Sequence, residues 1–213
     1  AVILVQSPPM KSQKEPSPTV FIVDDDPAIR FAMQALMDSV NLNHDIFASA
    51  DEFLEKITTQ RPGCLVLDIR MPGLGGLELQ EELIKRGNTL PIIFITGHGD
   101  VPMAVEAMQK GAVDFIQKPF RDQELLDRIR DALATDEERR EQQQHHAEVA
   151  HRLERLTNRE REVFDLVVTG KPNKVIAYEL GVSQRTVEIH RARVMEKMQA
   201  RSLADLVKMH MTA

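Results

Sequence analysis

The chain has 213 residues, of which 42% are hydrophobic and 28% charged, with a net charge of −6. That length fits one large domain or two small ones, and the apolar fraction is enough for a packed core, which excludes a globally disordered chain. No apolar run approaches the ~20 residues that cross a bilayer, the opening Ala1–Val5 run is too short and unflanked by bases to be a signal peptide, and the single Cys64 excludes an internal disulfide; these features predict a cytoplasmic protein with no membrane partner.

Charge divides the chain. Residues 1–150 carry 15 Lys/Arg against 25 Asp/Glu, a net of −10, and residues 151–213 carry 12 against 8, a net of +4. An acidic front and a basic back predict two domains with different partners. Residues 1–18, rich in Pro, Ser and charge around Ser7–Pro18, read as a disordered leader, with Met10 a candidate natural start.

From Val20 the chain alternates strands and helices. The first strand ends at Asp24-Asp25-Asp26, and Asp26-Pro27 supplies a helix cap and a proline at the first helical position. The helix that follows shows Ile29, Met33, Leu36 and Met37 on one face. A short strand near Asp45–Phe47 precedes the capping box Ser49-x-x-Glu52 and a helix with Phe53, Leu54 and Ile57. The third strand, Cys64–Asp68, leads through a glycine-rich loop to a helix bearing Leu77, Leu79, Leu83 and Ile84. Leu90–Thr96 is nearly all apolar, as in a strand buried on both faces. A helix from Pro102, a strand Phe115–Lys118 and a last helix from Asp122 complete five βα units, hence an α/β domain with a parallel sheet over residues 19–133.

Residues 134–150 form a linker without Pro or Gly, read as a solvated helical spacer with a partly disordered linker as the alternative, and its His145, His146 and nearby His151 read as a polar face rather than a metal site. Residues 151–213 read as four helices. Thr157-x-x-Glu160 caps the first, Gly181-Val-Ser183 turns between the second and third, and Ser202-x-x-Asp205 caps the fourth, which carries Leu203, Leu206 and Met209. A short helix, a glycine turn and a longer helix with Arg185, Glu188, Arg191, Arg193 and Lys197 facing outward make a helix-turn-helix.

Each apolar run of the front domain stops where charge begins, at Asp24–Asp26, at Asp68 and at Lys118-Pro119. In a parallel sheet these charges share the carboxyl edge, where open α/β folds hold their sites. Several carboxylates with one ammonium suit a divalent cation and a phosphoryl group. No other catalytic constellation is visible, and Gly73, Gly75 and Gly76 lack the Lys-Ser/Thr of a nucleotide-binding loop, so an enzyme proper is not expected.

Residues 19–133 resemble the flavodoxin-like receiver domain of two-component response regulators, and residues 151–213 the LuxR-type helix-turn-helix output domain. Ile95–Met108 (ITGHGDVPMAVEAM), Lys118-Pro-Phe120, Pro172–Ala177 (PNKVIA) and Arg185–Arg191 (RTVEIHR) point to the FixJ group. The resemblance implies Asp68 as phospho-acceptor, with Asp24, Asp25, Asp68 and the Arg70 backbone carbonyl around Mg2+. It implies Thr96 and Lys118 as partners of the phosphoryl oxygens, a cis Lys118-Pro119 bond, and Thr96 with Phe115 as the switch. Val105 and Gln109 would lie on a receiver dimer face. Asn173, Lys174, Ser183, Arg185, Thr186, Glu188, His190, Arg191, Arg193 and Lys197 would face DNA, with Glu188 on a base, Arg185, Arg191 and Arg193 on bases or phosphates, and Lys174 and Lys197 on phosphate. Leu203, Leu206 and Met209 are candidates for a second dimer contact. The implied partners are a sensor histidine kinase, promoter DNA, a second copy after phosphorylation, and RNA polymerase. Slow self-dephosphorylation is expected. The alternative is a phospho-switched receiver whose helical domain is a protein-interaction module.

Overall fold

The computed structural model describes residues 17–58, 61–97 and 101–212. Most of the leader and His98-Gly99-Asp100 lie outside the described residues. The elements run β1 (Thr19–Val23), α1 (Pro27–Ser39), β2 (His44–Phe47), α2 (Ala50–Lys56), β3 (Gly63–Asp68), α3 (Gly76–Lys85), β4 (Ile92–Thr96), α4 (Val101–Gln109), β5 (Asp114–Gln117), α5 (Asp122–Glu154), α6 (Asn158–Val168), α7 (Asn173–Leu180), α8 (Gln184–Met198) and α9 (Leu203–Thr212). Internal contacts divide the chain into residues 1–138 and 139–213.

The first unit is a parallel sheet in the order β2-β1-β3-β4-β5. Alternation along β1 sends Phe21 and Val23 to a core shared with Phe53 of α2, Leu79 and Leu83 of α3, and Ala104 and Ala107 of α4. Val20 and Ile22 point to the other core, with Met33 and Met37 of α1 and Leu125, Leu126 and Ile129 of α5. Both faces are covered, which explains why the central strands read as continuous apolar runs. Ile84 departs from the expected stripe of α3 and is 54% exposed.

Local signals fix the element ends. The Asp26 carboxylate caps α1 through Ala28 N–H at 2.8 Å, with Pro27 in the first turn. Ser49 caps α2 through Glu52 N–H, but the Glu52 carboxylate reaches Ala48 N–H at 2.9 Å and not Ser49 N–H, so that capping box closes one residue early. Gly63 has φ +150°, and a Cβ there would lie 1.9 Å from the Thr19 carbonyl oxygen, so the β1–β3 pairing needs a glycine at this position. Its N–H donates to Asp136 Oδ2 at 2.9 Å. Asp136 is only 2% exposed although it lies where the sequence suggested a solvated spacer. Helix α5 continues through that segment without a break.

The second unit packs Val149 and Leu153 at the end of α5 with Val163, Phe164 and Val167 of α6, Ile176 of α7, Val187, Val194 and Met198 of α8, and Leu206 of α9. Leu206 is fully buried, so it is a core residue and cannot also serve as a surface contact, while Leu203 is 38% exposed. The Thr157–Glu160 capping box is complete: Glu160 N–H donates to Thr157 Oγ1 and Thr157 N–H to Glu160 Oε2. Glu160 also receives the Lys197 ammonium of α8 at 2.5 Å, and its side chain is 3% exposed.

Burial raises the Glu160 carboxyl, but the Lys197 ammonium and the Thr157 hydrogen bonds outweigh it and carry the group from its ordinary 4.5 down to about 2. A depressed carboxyl contributes stability above its unfolded value and loses it as pH falls through the folded one. Glu160→Gln should therefore destabilise the second unit at pH 7 by about 3 kcal/mol, the loss expected when one member of a buried pair is removed. The gap from the wild type should close as pH is lowered from 4.5 toward 2. Amide exchange of α6 and α8 in the full chain measures it, and a gap constant across that range would show that the pair does not act in this way.

Candidate functional site

The strand order reverses between β1 and β3, and the residues that end these strands sit side by side. Val23 pairs with Leu67, Asp68 with Ile95, and Thr96 with Gln117. Asp24, Asp68, Thr96 and Lys118 therefore collect at one carboxyl edge, at the topological switch point. Asp24 is 1% and Asp68 7% exposed, whereas Asp25 faces solvent.

Lys118 Nζ lies 2.6 Å from Asp68 Oδ1 and 3.0 Å from Asp24 Oδ2, joining the two acids. Their remaining oxygens are held by the backbone. Asp24 Oδ1 accepts Asp26 N–H, and Asp68 Oδ2 accepts Arg70 N–H, both at 2.9 Å. Arg30 Nη1 donates to the Asp24 carbonyl oxygen at 2.7 Å. The Lys118-Pro119 bond is cis, and Lys118 N–H donates to the Thr96 carbonyl at 2.7 Å. Thr96 is 3% exposed, its hydroxyl 3.4 Å from the Ile116 carbonyl. Gly76 permits α3 to approach this edge, since a Cβ there would stand 2.4 Å from the Asp68 carbonyl oxygen.

Burial pushes the Asp68 carboxyl above its ordinary value, against the lowering effect of the Lys118 hydrogen bond and charge, and Asp24 adds repulsion. Burial alone would depress the Lys118 ammonium, but hydrogen bonds from Asp68 and Asp24 raise it overall. The two directions agree physically. One ammonium serves two acids, so Lys118 is over-compensated while Asp68 is under-compensated.

Two buried carboxylates, Asp24 and Asp68, share one ammonium, with the exposed Asp25 next in the chain, which leaves negative charge and hard oxygen donors of the kind Mg2+ takes. Among the described residues no three acidic, His or Cys side chains converge as ligands: Lys118 bridges Asp24 and Asp68, and Asp25 faces solvent. The chemistry of the donor set, carboxylate oxygens beside backbone carbonyls, is nonetheless of the kind this cation takes. Cys64 plays no part: it is buried in β3, and its thiol is pushed up to about 12 by burial.

Beyond this edge, Phe115 of β5 is 39% exposed, beside Val113 at 37%, with Val105 at 49% and Met108 at 37% on α4. Gln109 is also exposed.

In the second unit, Gly181 takes φ +64° and lets the chain turn from α7 into α8. Ser183 caps α8 through Thr186 N–H at 3.0 Å and shares a hydroxyl hydrogen bond with Thr186. Arg185 and Glu188 lie one turn apart, 3.3 Å from each other and well exposed. Arg191 Nη1 donates to Asn173 Oδ1 at 3.0 Å, tying α8 to the first turn of α7. Lys174 and Arg193 are exposed. His190 is half-buried, and its Nδ1 has no partner among the described residues. Lys197 is committed to Glu160 and to the Arg155 carbonyl, so it is placed as a structural cation rather than as a free one. The sequence signal that would have found this is the residue type alone: a Glu at the third helical position with a Lys elsewhere, whose approach only the fold reveals. Arg30 carries no sequence signal for the same reason.

Residues 20–130 match the model of the response regulator receiver domain, and residues 154–210 that of bacterial regulatory proteins of the luxR family. The chain is 51% identical over 193 residues to Nodulation protein W of Bradyrhizobium diazoefficiens, covering 91% of this chain and 85% of that one. It is 46% identical to the transcriptional regulatory protein FixJ of Azorhizobium caulinodans, covering 91% and 92%. Among solved structures it resembles the response regulator StyR, with a TM-score of 0.86 and 43% identity over 93% of this chain and all of that one. The edge of buried acids around a lysine and the basic helix-turn-helix thus lie in a chain that belongs to the response regulators, as a transcription regulator with a receiver domain and a LuxR-type DNA-binding domain.

Proposed function

We propose that Asp68 accepts a phosphoryl group from a phosphohistidine of a sensor kinase, and that this drives pairing of two copies on promoter DNA. The observation that carries the reading is the Lys118 ammonium shared by Asp68 and Asp24 at the switch point of the sheet. One Asp68 oxygen attacks phosphorus, a P–O bond forms, the N–P bond breaks, and the leaving imidazole takes up a proton. A bare carboxylate repels the phosphoryl oxygens. Mg2+, held by Asp24, Asp25, Asp68 and the Arg70 carbonyl, supplies the compensating charge when bound. Lys118 turns from the carboxylates to a phosphoryl oxygen, and the Thr96 hydroxyl donates to another. Water slowly cleaves the acyl phosphate, and no turnover of a second substrate is involved.

Thr96 moves to reach the phosphoryl group and vacates space beside β5, which Phe115 turns inward to fill. The altered face, with Val105 and Gln109 on α4, then pairs with that of a second copy. In the basic unit α8 enters the major groove. Arg185 and Glu188 read base edges, while Lys174, Arg191 and Arg193 with Asn173 at the start of α7 hold phosphate or bases. This work would take place at cytoplasmic DNA. RNA polymerase is the further partner such a regulator addresses.

Acetyl phosphate with Mg2+ should label wild type in an acid-stable, base-labile way, and Asp68→Asn should take no label because an amide is not a nucleophile. Acid-stable labelling of the Asn variant would remove Asp68 from this role. In sedimentation, the phosphorylated protein should pass from monomer to dimer and Val105→Asp should block that passage; a tight dimer before phosphorylation, or an unaffected Val105→Asp, contradicts the proposed face. In DNA titrations, Arg193→Ala should weaken binding by ~1–3 kcal/mol on the target site alone if it reads a guanine. A uniform loss on all sequences with a shallower salt dependence instead makes it a phosphate contact. Absence of any salt-dependent DNA binding by the phosphorylated chain would favour an interaction module.

A further inference from the structure

Asp24 and Asp25 stand on a short bend between β1 and α1, and one side chain from outside the acidic cluster fastens it. Arg30, one turn into α1, donates from Nη1 to the Asp24 backbone oxygen at 2.7 Å. The other ties of the bend are Asp24 N–H to the Phe47 carbonyl of β2 at 3.3 Å, which holds the amide side of Asp24 and not its carbonyl, and three local ones: Asp26 N–H to Asp24 Oδ1, Ala28 N–H to Asp26 Oδ1, and Arg30 N–H to the Asp26 carbonyl. The Asp24 side chain is turned into the site and engaged by Lys118, so the peptide joining Asp24 to the exposed Asp25 sets the angle between the two carboxylates. β1 has ended at Val23, and the Asp24 carbonyl is bound by the guanidinium instead.

A cation beside a cation-binding site is electrostatically unfavourable for the bound metal. Its presence there is explained if holding the backbone outweighs the repulsion. We propose that Arg30 is a positioning residue for the divalent-cation site: it does not touch the metal, but fixes the Asp24-Asp25 peptide so that both carboxylates meet the ion together. The proposal rests on the reading of this edge as a Mg2+ site.

The sign of one measurement separates the two effects. If Arg30 acts only through its charge, Arg30→Ala tightens Mg2+ binding. If it positions the acids, Arg30→Ala weakens it, by roughly tenfold in Kd, the size of a lost charge-assisted hydrogen bond. The chain has no Trp and a single Tyr, Tyr178, in the other unit, so intrinsic fluorescence is a poor probe of this edge. Calorimetric titration with MgCl2 and paramagnetic broadening by MnCl2 report binding without any phosphoryl donor. Arg30→Lys keeps the charge and a donor and should recover most of the affinity. Labelling by acetyl phosphate should need about tenfold more Mg2+ for half-saturation in Arg30→Ala, yet reach the wild-type rate when Mg2+ saturates. Equal or tighter binding by a folded Arg30→Ala, or no recovery in Arg30→Lys, overturns the proposal. Absence of Mg2+ binding by the wild type overturns the metal-site reading itself.

Discussion

The receiver unit turns on one ammonium set between two buried carboxylates. Removing charges from water is costly, and an unpaired acid at the Asp24 or Asp68 position would be neutralised by protonation or would loosen the strand end. Lys118 prevents both at contacts of 2.6 and 3.0 Å, yet it cannot satisfy two acids fully, and the carboxyl of Asp68 is raised accordingly. That residual imbalance is useful. A site fully compensated in the resting state would gain little from a divalent ion, whereas this one keeps negative charge that its single ammonium does not meet. The proposed phosphoryl transfer asks that ammonium to leave the acids for a new acceptor, which a flexible stem with three donors permits.

The sheet exists to bring those groups together. Parallel strands in the order β2-β1-β3-β4-β5 place the ends of β1 and β3 adjacent, although 44 residues separate Asp24 from Asp68 along the chain. Two glycines make the approach possible: Gly63 lets β3 start against Thr19, and Gly76 lets α3 begin against the Asp68 carbonyl. Burial of both sheet faces then holds β3 in place, because its side chains fill two close-packed cores and a shifted strand would leave voids in one and overfill the other. The position of Asp68 is thus enforced by packing several residues away from it.

The sequence made some of this legible and not the rest, and the division is physical. The end of an apolar run at Asp24, Asp68 and Lys118 is a local signal, since strand burial and surface charge are decided residue by residue. So are Asp26-Pro27 and Thr157-x-x-Glu160, whose partners lie within one turn. Distances through space leave no such trace. Nothing in the chain pairs Lys197 with Glu160, 37 residues away, or Asp136 with Gly63, 73 away. Charge on an outward-looking helix therefore reads as available for DNA, whereas Lys197 is engaged by Glu160. Asp136 reads as solvated because its neighbours are polar, yet it is buried against the start of β3. The capping of α2 shows a subtler limit: Ser49 and Glu52 have the right spacing, but the carboxylate is long enough to satisfy the N–H one residue earlier.

The exposed face of β5 and α4 bears on how a phosphorylation signal can work at all. Val105, Met108, Val113 and Phe115 each keep between 37% and 49% of their surface in water, a set of half-covered side chains rather than a broad apolar patch. Partial exposure of this kind is ordinary on monomers and gives little drive to associate. For the proposed switch that weakness is a requirement. Taking a population from about 1% to 99% dimer-competent needs only ~5.5 kcal/mol of preference between states, but it needs the resting state to lie on the unfavourable side first. Turning Phe115 inward would supply only part of that preference, since burying a whole Phe side chain is worth about 1.5–3 kcal/mol and this one is only 39% exposed to begin with, so the phosphoryl contacts must supply the rest. A more apolar resting face would pair regardless of Asp68, and the charge imbalance at Lys118 would then have nothing left to control.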